Sequence, residues 1–194
     1  MKIGTLIDFL KKRNKIVIPE SPFKPASVIV PLVLNDKISM LLTRRSLRLT
    51  HHKGEVSFPG GRCDKEDATK LDTALRELYE EIGIPKGEVV ILGNLDDYVS
   101  ITNFHISTFL AKIPYFCPYS FNKDEIDDVY IVPLKDFFIE PKLEIYQKGD
   151  KISTNYIYDF KYFRVFGVTA KIIKDLVNIL EKSGFVKENY DFIF

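Results

Sequence analysis

The stretch from Gly60 to Pro85 constrains the fold of this chain more than any other part of it. Over Ala68 to Ile82, the residues Leu71, Ala74, Leu75, Leu78 and Ile82 recur three and four positions apart, which is the spacing of one apolar helix face. Gly83 falls close to the position of a C-terminal cap, and Pro85 opposes continuation, so the helix has a predicted end. Asp67 is placed to cap its start. Ahead of it, Phe58-Pro59-Gly60-Gly61 forces a sharp break. Whatever the chain builds must include a tight glycine turn, a loop, and a helix with one buried face.

Around this helix the pattern is mostly that of strands. Thr5 to Lys12 reads as a short helix with Leu6, Phe9 and Leu10 on one face. Pro19, Pro22 and Pro25 mark an extended segment. Ser27 to Leu34 and Lys37 to Thr43 read as strands, and Asn35-Asp36 between them suits a hairpin turn. Val28 to Leu34 is the longest apolar run and holds Pro31; at seven residues it is a buried strand, far short of the roughly 18 needed to cross a bilayer. Arg44 to Ser57 is a polar, basic loop. Further strand-like runs are Val89 to Leu95, Phe104 to Ile113, Val129 to Val132, and a hairpin of Leu143 to Gln147 with Ile152 to Tyr158 around Gly149-Asp150. A last helix covers about Thr169 to Lys182. Strands interleaved with few helices predict an α/β chain, a mixed sheet with helices on its faces. No Pro-, Gly- or Ser-rich linker divides it, so residues 1–194 are expected to form a single domain with a core of about 26–182.

The polar side of the central helix carries the chemistry. Glu77, Glu80 and Glu81 stand at i, i+3 and i+4 and project to one side, expected to lie away from the apolar stripe. Three like charges this close repel, which raises their pKa values or demands a counter-charge. A divalent cation answers that demand, since Mg2+ prefers a few carboxylates together with phosphate and water oxygens. Arg76 can pair with Glu80 one turn on and orient it. The double glycine Gly60-Gly61 lets backbone come close to a metal and to phosphates. An acidic triplet alone is most often a solvated helix face; the glycines before it and Gly83 after it set this one apart.

These residues resemble the Nudix signature: Gly, five residues, Glu, seven residues, Arg-Glu, apolar, any, Glu-Glu, any, Gly, apolar. Gly61 takes the first place, and Arg76-Glu77-Leu78-Tyr79-Glu80-Glu81-Ile82-Gly83-Ile84 matches the second half throughout. Asp67 stands where Glu is usual, and eight residues rather than seven separate it from Arg76. The resemblance implies an α/β/α sandwich with a mixed β-sheet and the signature as a loop-helix-loop. It implies hydrolysis of a diphosphate with Mg2+ (or Mn2+), and Glu77, Glu80 and Glu81 as metal ligands. The family's general base varies in position. It is a helix glutamate or a carboxylate on a remote loop, for which Glu125 in Asp124-Glu125-Ile126 is the candidate.

The segment before the box narrows the resemblance to the coenzyme A pyrophosphatase branch. Leu41-Leu42-Thr43-Arg44-Arg45-Ser46 and Gly54-Glu55-Val56-Ser57-Phe58-Pro59-Gly60-Gly61 follow that branch's pattern, as do Asp124-Glu125-Ile126 and Phe166-Gly167-Val168-Thr169-Ala170. Two positions depart: Thr50 stands where the branch has Arg, and Phe166 where it has Trp. Phe166 is expected in the core. Coenzyme A carries a 3′-phosphate beside its diphosphate, so a cationic loop suits it. The candidate substrate-binding residues are Arg44, Arg45, Arg48, His52, Gly60 and Gly61, with His51 and Lys53 as further cations of the loop. The expected reaction yields 3′,5′-ADP and 4′-phosphopantetheine or its acyl form. ADP-ribose, NADH or a nucleoside triphosphate remains the alternative substrate. A Nudix-fold binding module without catalysis would have lost box glutamates that this chain keeps.

Composition removes other classes. The formal net charge is +1, without the basic excess of a nucleic-acid binder. Cys63 and Cys117 are too few and too far apart for a disulfide framework or a zinc site, and they read as reduced thiols of a cytoplasmic protein. Met1 to Lys15 lacks the apolar core of a signal peptide. The expected partner is a small-molecule nucleotide, with neither nucleic acid nor membrane; a homodimer stays open, and Asn189 to Phe194 either docks on the domain or meets a second subunit.

Overall fold

The computed structural model describes residues 2–115, 121–148 and 151–194, with side chains placed outside 146–148 and 151–153. Cys117 and the Gly149-Asp150 turn lie outside the described residues. In chain order the elements are α1 (Gly4–Lys12), β1 (Lys24–Leu34), β2 (Ile38–Arg45), β3 (Val56–Ser57), β4 (Gly60–Arg62), α2 (Lys70–Ile82), β5 (Val90–Asn94), β6 (Tyr98–Val99), β7 (Phe104–Ile113) and β8 (Ile126–Pro133). They continue with β9 (Lys142–Lys148), β10 (Lys151–Asp159), β11 (Arg164–Phe166), α3 (Gly167–Lys182), α4 (Phe185–Glu188) and α5 (Tyr190–Ile193).

The main sheet runs β3-β2-β1-β7-β5, with β4 on β1, β6 on β7 and β8 on β2. Its centre is the parallel pair β1 and β7, in register from Lys24 opposite Phe104 to Val33 opposite Ile113, and its other pairings are antiparallel. The sheet is therefore mixed, as the sequence pattern predicts. A second, three-stranded sheet runs β11-β10-β9.

Alternation along the central strands supplies two buried faces. Ile29 and Val33 of β1, Leu41 of β2, and Ala111 and Ile113 of β7 pack under Ala74, Leu75, Leu78 and Ile82 of α2. Val30 and Leu32, with Met40 and Leu42, face the other way, onto Leu6 and Leu10 of α1, Tyr158 and Val165 of the small sheet, and Ile172, Ile173 and Leu176 of α3. The result is the α/β/α sandwich expected from the resemblance.

Pro31 in the middle of β1 has a local reason. On its side away from β7, β1 pairs with β4 through Val28 opposite Gly60, then with β2 from Leu32 opposite Met40. The Ile29 N–H points to that side and meets the Pro59 carbonyl at 3.0 Å. Two residues on, the nitrogen of Pro31 faces the same way, between the two partners, where no ladder donor is needed. The strand thus changes partner at the level of the glycine turn.

Several boundaries differ from the sequence expectation. The central helix starts at Lys70, because Thr69 is extended (φ −143°, ψ 163°) and its hydroxyl oxygen accepts the Asp72 N–H. Thr69 is the cap, and Asp67 is freed for another task. Gly83 closes the helix in the left-handed conformation, φ 77°, as expected. The last helix begins at Gly167 rather than Thr169. Phe166 is 38% exposed and not in the core, since β11 turns it outward while Val165 points in. The C-terminal segment packs back on the rest of the chain: Ile193 is buried, and the Asn189 amide holds the Lys2 backbone with bonds of 2.7 and 2.8 Å.

Candidate active site

The loop from Gly60 to Thr69 folds back onto α2 through a single arginine. The Arg76 Nε and Nη2 donate to the two oxygens of Asp67, each at 3.1 Å, in a fork-to-fork pair. Its Nη1 donates to Glu77 Oε1 at 2.9 Å and to Glu80 Oε2 at 2.8 Å, and its Nη2 also reaches the Arg62 carbonyl at 3.1 Å. The i+4 pairing with Glu80 is the one expected; those with Asp67 and Glu77 are additional. Hydrogen bonding from Arg76 holds the Asp67 carboxyl down at about 2. Asp67 stands in the place of the signature's first acid, and the Asp64 N–H and Thr73 hydroxyl also donate to it.

The three helix glutamates do not share one environment. Glu80 is exposed at 47% of its side chain, and Glu77 at 15%. Glu81 is buried, with the residue 2% exposed, so it does not lie away from the apolar stripe. At about 100° per residue it falls within roughly 20° of Ala74, the edge of that stripe. Burial first, and then the charge of Glu77, pushes the Glu81 carboxyl up to about 8, against the pull of Arg45 and a hydrogen bond from the Gly60 backbone. Burial likewise raises Glu77, with Arg76 opposing. Glu81 Oε2 is buried without a hydrogen-bond partner. Gly61 lies against Glu77 so closely that a Cβ there would overlap its carboxylate.

Glu125 comes from a remote loop, as expected. The Asn122 N–H donates to the Glu81 carbonyl at 3.0 Å, and the Ser46 N–H to the Glu125 carbonyl at 2.7 Å. The turn at 122–126 is thereby tied both to the end of α2 and to the end of β2. The charge of Glu125 is felt by both Glu77 and Glu81. Asn122 carries no chemical signature, and no sequence periodicity would have picked it out.

The basic loop divides. Arg45 and the glycines sit at the carboxylates: Arg45 acts on Glu81, and its Nε is buried without a hydrogen-bond partner. Arg44, Arg48 and His52 have acidic neighbours of their own, Asp128 at 3.7 Å, Asp124 at 3.2 Å and Glu55 at 2.9 Å. Thr50 is exposed.

This donor set suits a hard divalent cation: carboxylate oxygens, one of them buried and unpartnered, beside a glycine backbone. Among the described residues the acidic side chains are not already gathered into a three-ligand cluster.

A family profile described as NUDIX domain matches residues 23–152. A Nudix hydrolase called NudL, uncharacterized, from Shigella flexneri serotype 5b is 36% identical over 180 residues, covering 89% of this chain and 93% of its own. Its namesake from Escherichia coli K12 is 35% identical over 179 residues, with the same coverage. Among solved structures, a MutT/nudix family protein from Enterococcus faecalis superposes with a TM-score of 0.57 at 14% identity, covering 94% of this chain and 70% of that one, a likeness of fold. With the signature in its sequence, a profile across most of its length and near-full-length relatives, the chain belongs to the Nudix family and is a hydrolase of diphosphate bonds.

Proposed function

We propose that this Nudix hydrolase cleaves the diphosphate of coenzyme A or acyl-coenzyme A, giving 3′,5′-ADP and 4′-phosphopantetheine or its acyl form. One observation carries the reading. The Leu41–Ser46 strand end and the Asp124-Glu125-Ile126 element, both part of the branch resemblance, are bonded to each other at the carboxylate helix, Ser46 N–H to Glu125 carbonyl at 2.7 Å. That contact supports reading the two pieces of the branch pattern as parts of one site.

In this reading Glu77, Glu80 and Glu81 hold Mg2+ or Mn2+, which when bound neutralises the diphosphate and makes water a better nucleophile. Arg76 orients Glu77 and Glu80. Arg45 offsets the charge of Glu81. The Gly60-Gly61 backbone leaves room for phosphate oxygens. Glu125 is the residue that takes the water's proton, being a carboxylate outside the ligand set yet inside its field. Arg44, Arg48 and His52 meet the nucleotide from the loop.

The test is product analysis by chromatography and mass detection. The protein is incubated with Mg2+ or Mn2+ and coenzyme A, acetyl-coenzyme A, ADP-ribose, NADH and nucleoside triphosphates. Fastest release of 3′,5′-ADP from the coenzyme A compounds supports the reading. A second reading, a nucleotide diphosphate without a 3′-phosphate, is favoured by exposed Thr50 and by the acidic neighbours of Arg44, Arg48 and His52. It predicts that ADP-ribose or NADH is cut first. No turnover with either metal would leave only binding to be measured.

A further inference from the structure

The turn that carries Glu125 is held from two sides. On the helix side, the Glu81 carbonyl lies at the end of α2, and the residue four on, whose N–H would complete a helical bond, is Pro85. The Asn122 N–H takes that place at 3.0 Å. The Asn122 carbonyl then accepts the N–H groups of Glu125 and Ile126, at 3.0 and 2.8 Å, and its side-chain oxygen accepts that of Asp124, at 3.1 Å.

On the other side stands Asp127. From Arg44 to Arg45 β2 advances one residue, while β8 moves two, from Asp128 to Ile126. Asp127 is the extra residue of this bulge, without a partner on β2, and its side chain turns onto the chain that leaves β2. Its Oδ2 accepts the Leu47 N–H at 3.0 Å, and the Ser46 hydroxyl donates to the same carboxylate. Ser46 is fully buried, and its own N–H donates to the Glu125 carbonyl at 2.7 Å. Asp127 therefore holds the residue that holds Glu125. The neighbouring contact between the two loops, Arg48 to Asp124 at 3.2 Å, joins side chains 69% and 88% exposed. Such a pair is worth little and yields to a phosphate on Arg48. The bonds to Asp127 use no cation of the loop, so a phosphate arriving at Arg48 does not take them away.

We propose that Asp127 is a positioning residue for the hydrolysis: through Ser46 it fixes Glu125 against the helix glutamates while the basic loop exchanges its own ion pairs for substrate phosphates. The inference rests on the reading of Glu125 as the base.

The experiment is a double-mutant cycle on the full chain at saturating Mg2+, with coenzyme A as substrate, or ADP-ribose if that is cut faster. It compares wild type, Asp127→Ala, Glu125→Gln and the double variant, with Asp127→Asn as the conservative change. Asp127→Ala is expected to lower kcat about tenfold, a fraction of what a displacement of about 1 Å costs, with KM within about twofold and Mn2+ affinity unchanged. Asp127→Asn keeps an acceptor oxygen and should recover most of the rate. In the Glu125→Gln background the alanine change should cost almost nothing, since no base is left to position. The same loss in both backgrounds would make Asp127 a structural support alone and overturn the inference; so would an unchanged kcat in Asp127→Ala. The base reading fails separately, in the single variant. Glu125→Gln with wild-type kcat sinks that reading and the positioning with it, whereas a slow Glu125→Gln beside an additive cycle keeps the base and removes Asp127.

Discussion

Replacing Gly61 by alanine separates chemistry from folding. The added Cβ would overlap the Cδ and Oε1 of Glu77 and lie 2.7 Å from Oε2. Comfortable contact begins near about 3.5 Å, so the carboxylate must retreat by about 1 Å. The overlapped atoms are the end of a flexible side chain, and turning it costs only about 1 kcal/mol. A reacting group displaced by 1 Å, by contrast, can cost about 100-fold in rate. Gly61→Ala is therefore expected to melt within a few degrees of wild type while kcat/KM falls about 100-fold at saturating Mg2+. Gly60→Ala is the control with the opposite signature. At φ 153° its Cβ would overlap the Ser27 carbonyl and lie 2.7 Å from Val28 Cα, both backbone, so the pairing of β1 with β4 must open and Tm must drop. Turnover and thermal melts on the two variants decide the matter. A Gly61→Ala protein with kcat/KM within about threefold of wild type would refute the assignment of Glu77 to the reaction centre.

Other outcomes follow from the charges. The folded state holds Glu81 protonated up to about 8, above its unfolded value near 4.5. Metal-free protein should lose stability as pH rises from about 4.5 to 8, by a few kcal/mol at most, and level off above. Melts in a chelator across that range test this; Glu81→Gln should flatten the slope and abolish most hydrolysis. Asp67 behaves in reverse: its depressed carboxyl stabilises above about 3.8 and the contribution is lost as pH falls through about 2. Arg76→Ala should remove about 1–2 kcal/mol at neutral pH after screening, read as a lower Tm, and bring acid unfolding to higher pH. Glu125→Gln should lower kcat by about 100-fold or more with little change in metal affinity, measured by Mn2+ titration; an unchanged kcat would move the base to the helix.

The central helix was legible because its periodicity, its end and its carboxylates lie within one stretch of chain. So were β1, β2 and β7, whose apolar runs are long. The burial of Glu81 was legible only from the angular position next to Ala74, which the i, i+3, i+4 count of acids hides. Asp67 was misread as a cap because Asp and Thr compete for that place, and Thr69 won by adjacency to the first turn. The fork from Arg76 back to Asp67 spans nine residues of loop and helix and has no spacing rule. Nor has the Asn122 contact to the end of α2, a backbone bond to Glu81 between residues far apart in sequence. Short pieces such as β3, β4 and β6 pair over two or three residues and leave no alternation to find.

Arg76 carries a consequence for the life of the chain before it meets a cation. Its guanidinium bonds Asp67, Glu77 and Glu80 at once, so each of these carboxylates has a hydrogen-bond donor inside the polypeptide and part of their charge is offset there, while Glu81 is answered by a proton. Small metal-dependent modules such as zinc fingers are unfolded until loaded; this helix has a resident substitute and can form first. Assembly and activation become separate events. A newly made molecule can wait, folded and silent, in a metal-poor setting, and a chelator should switch the enzyme off without sending it to the unfolded state.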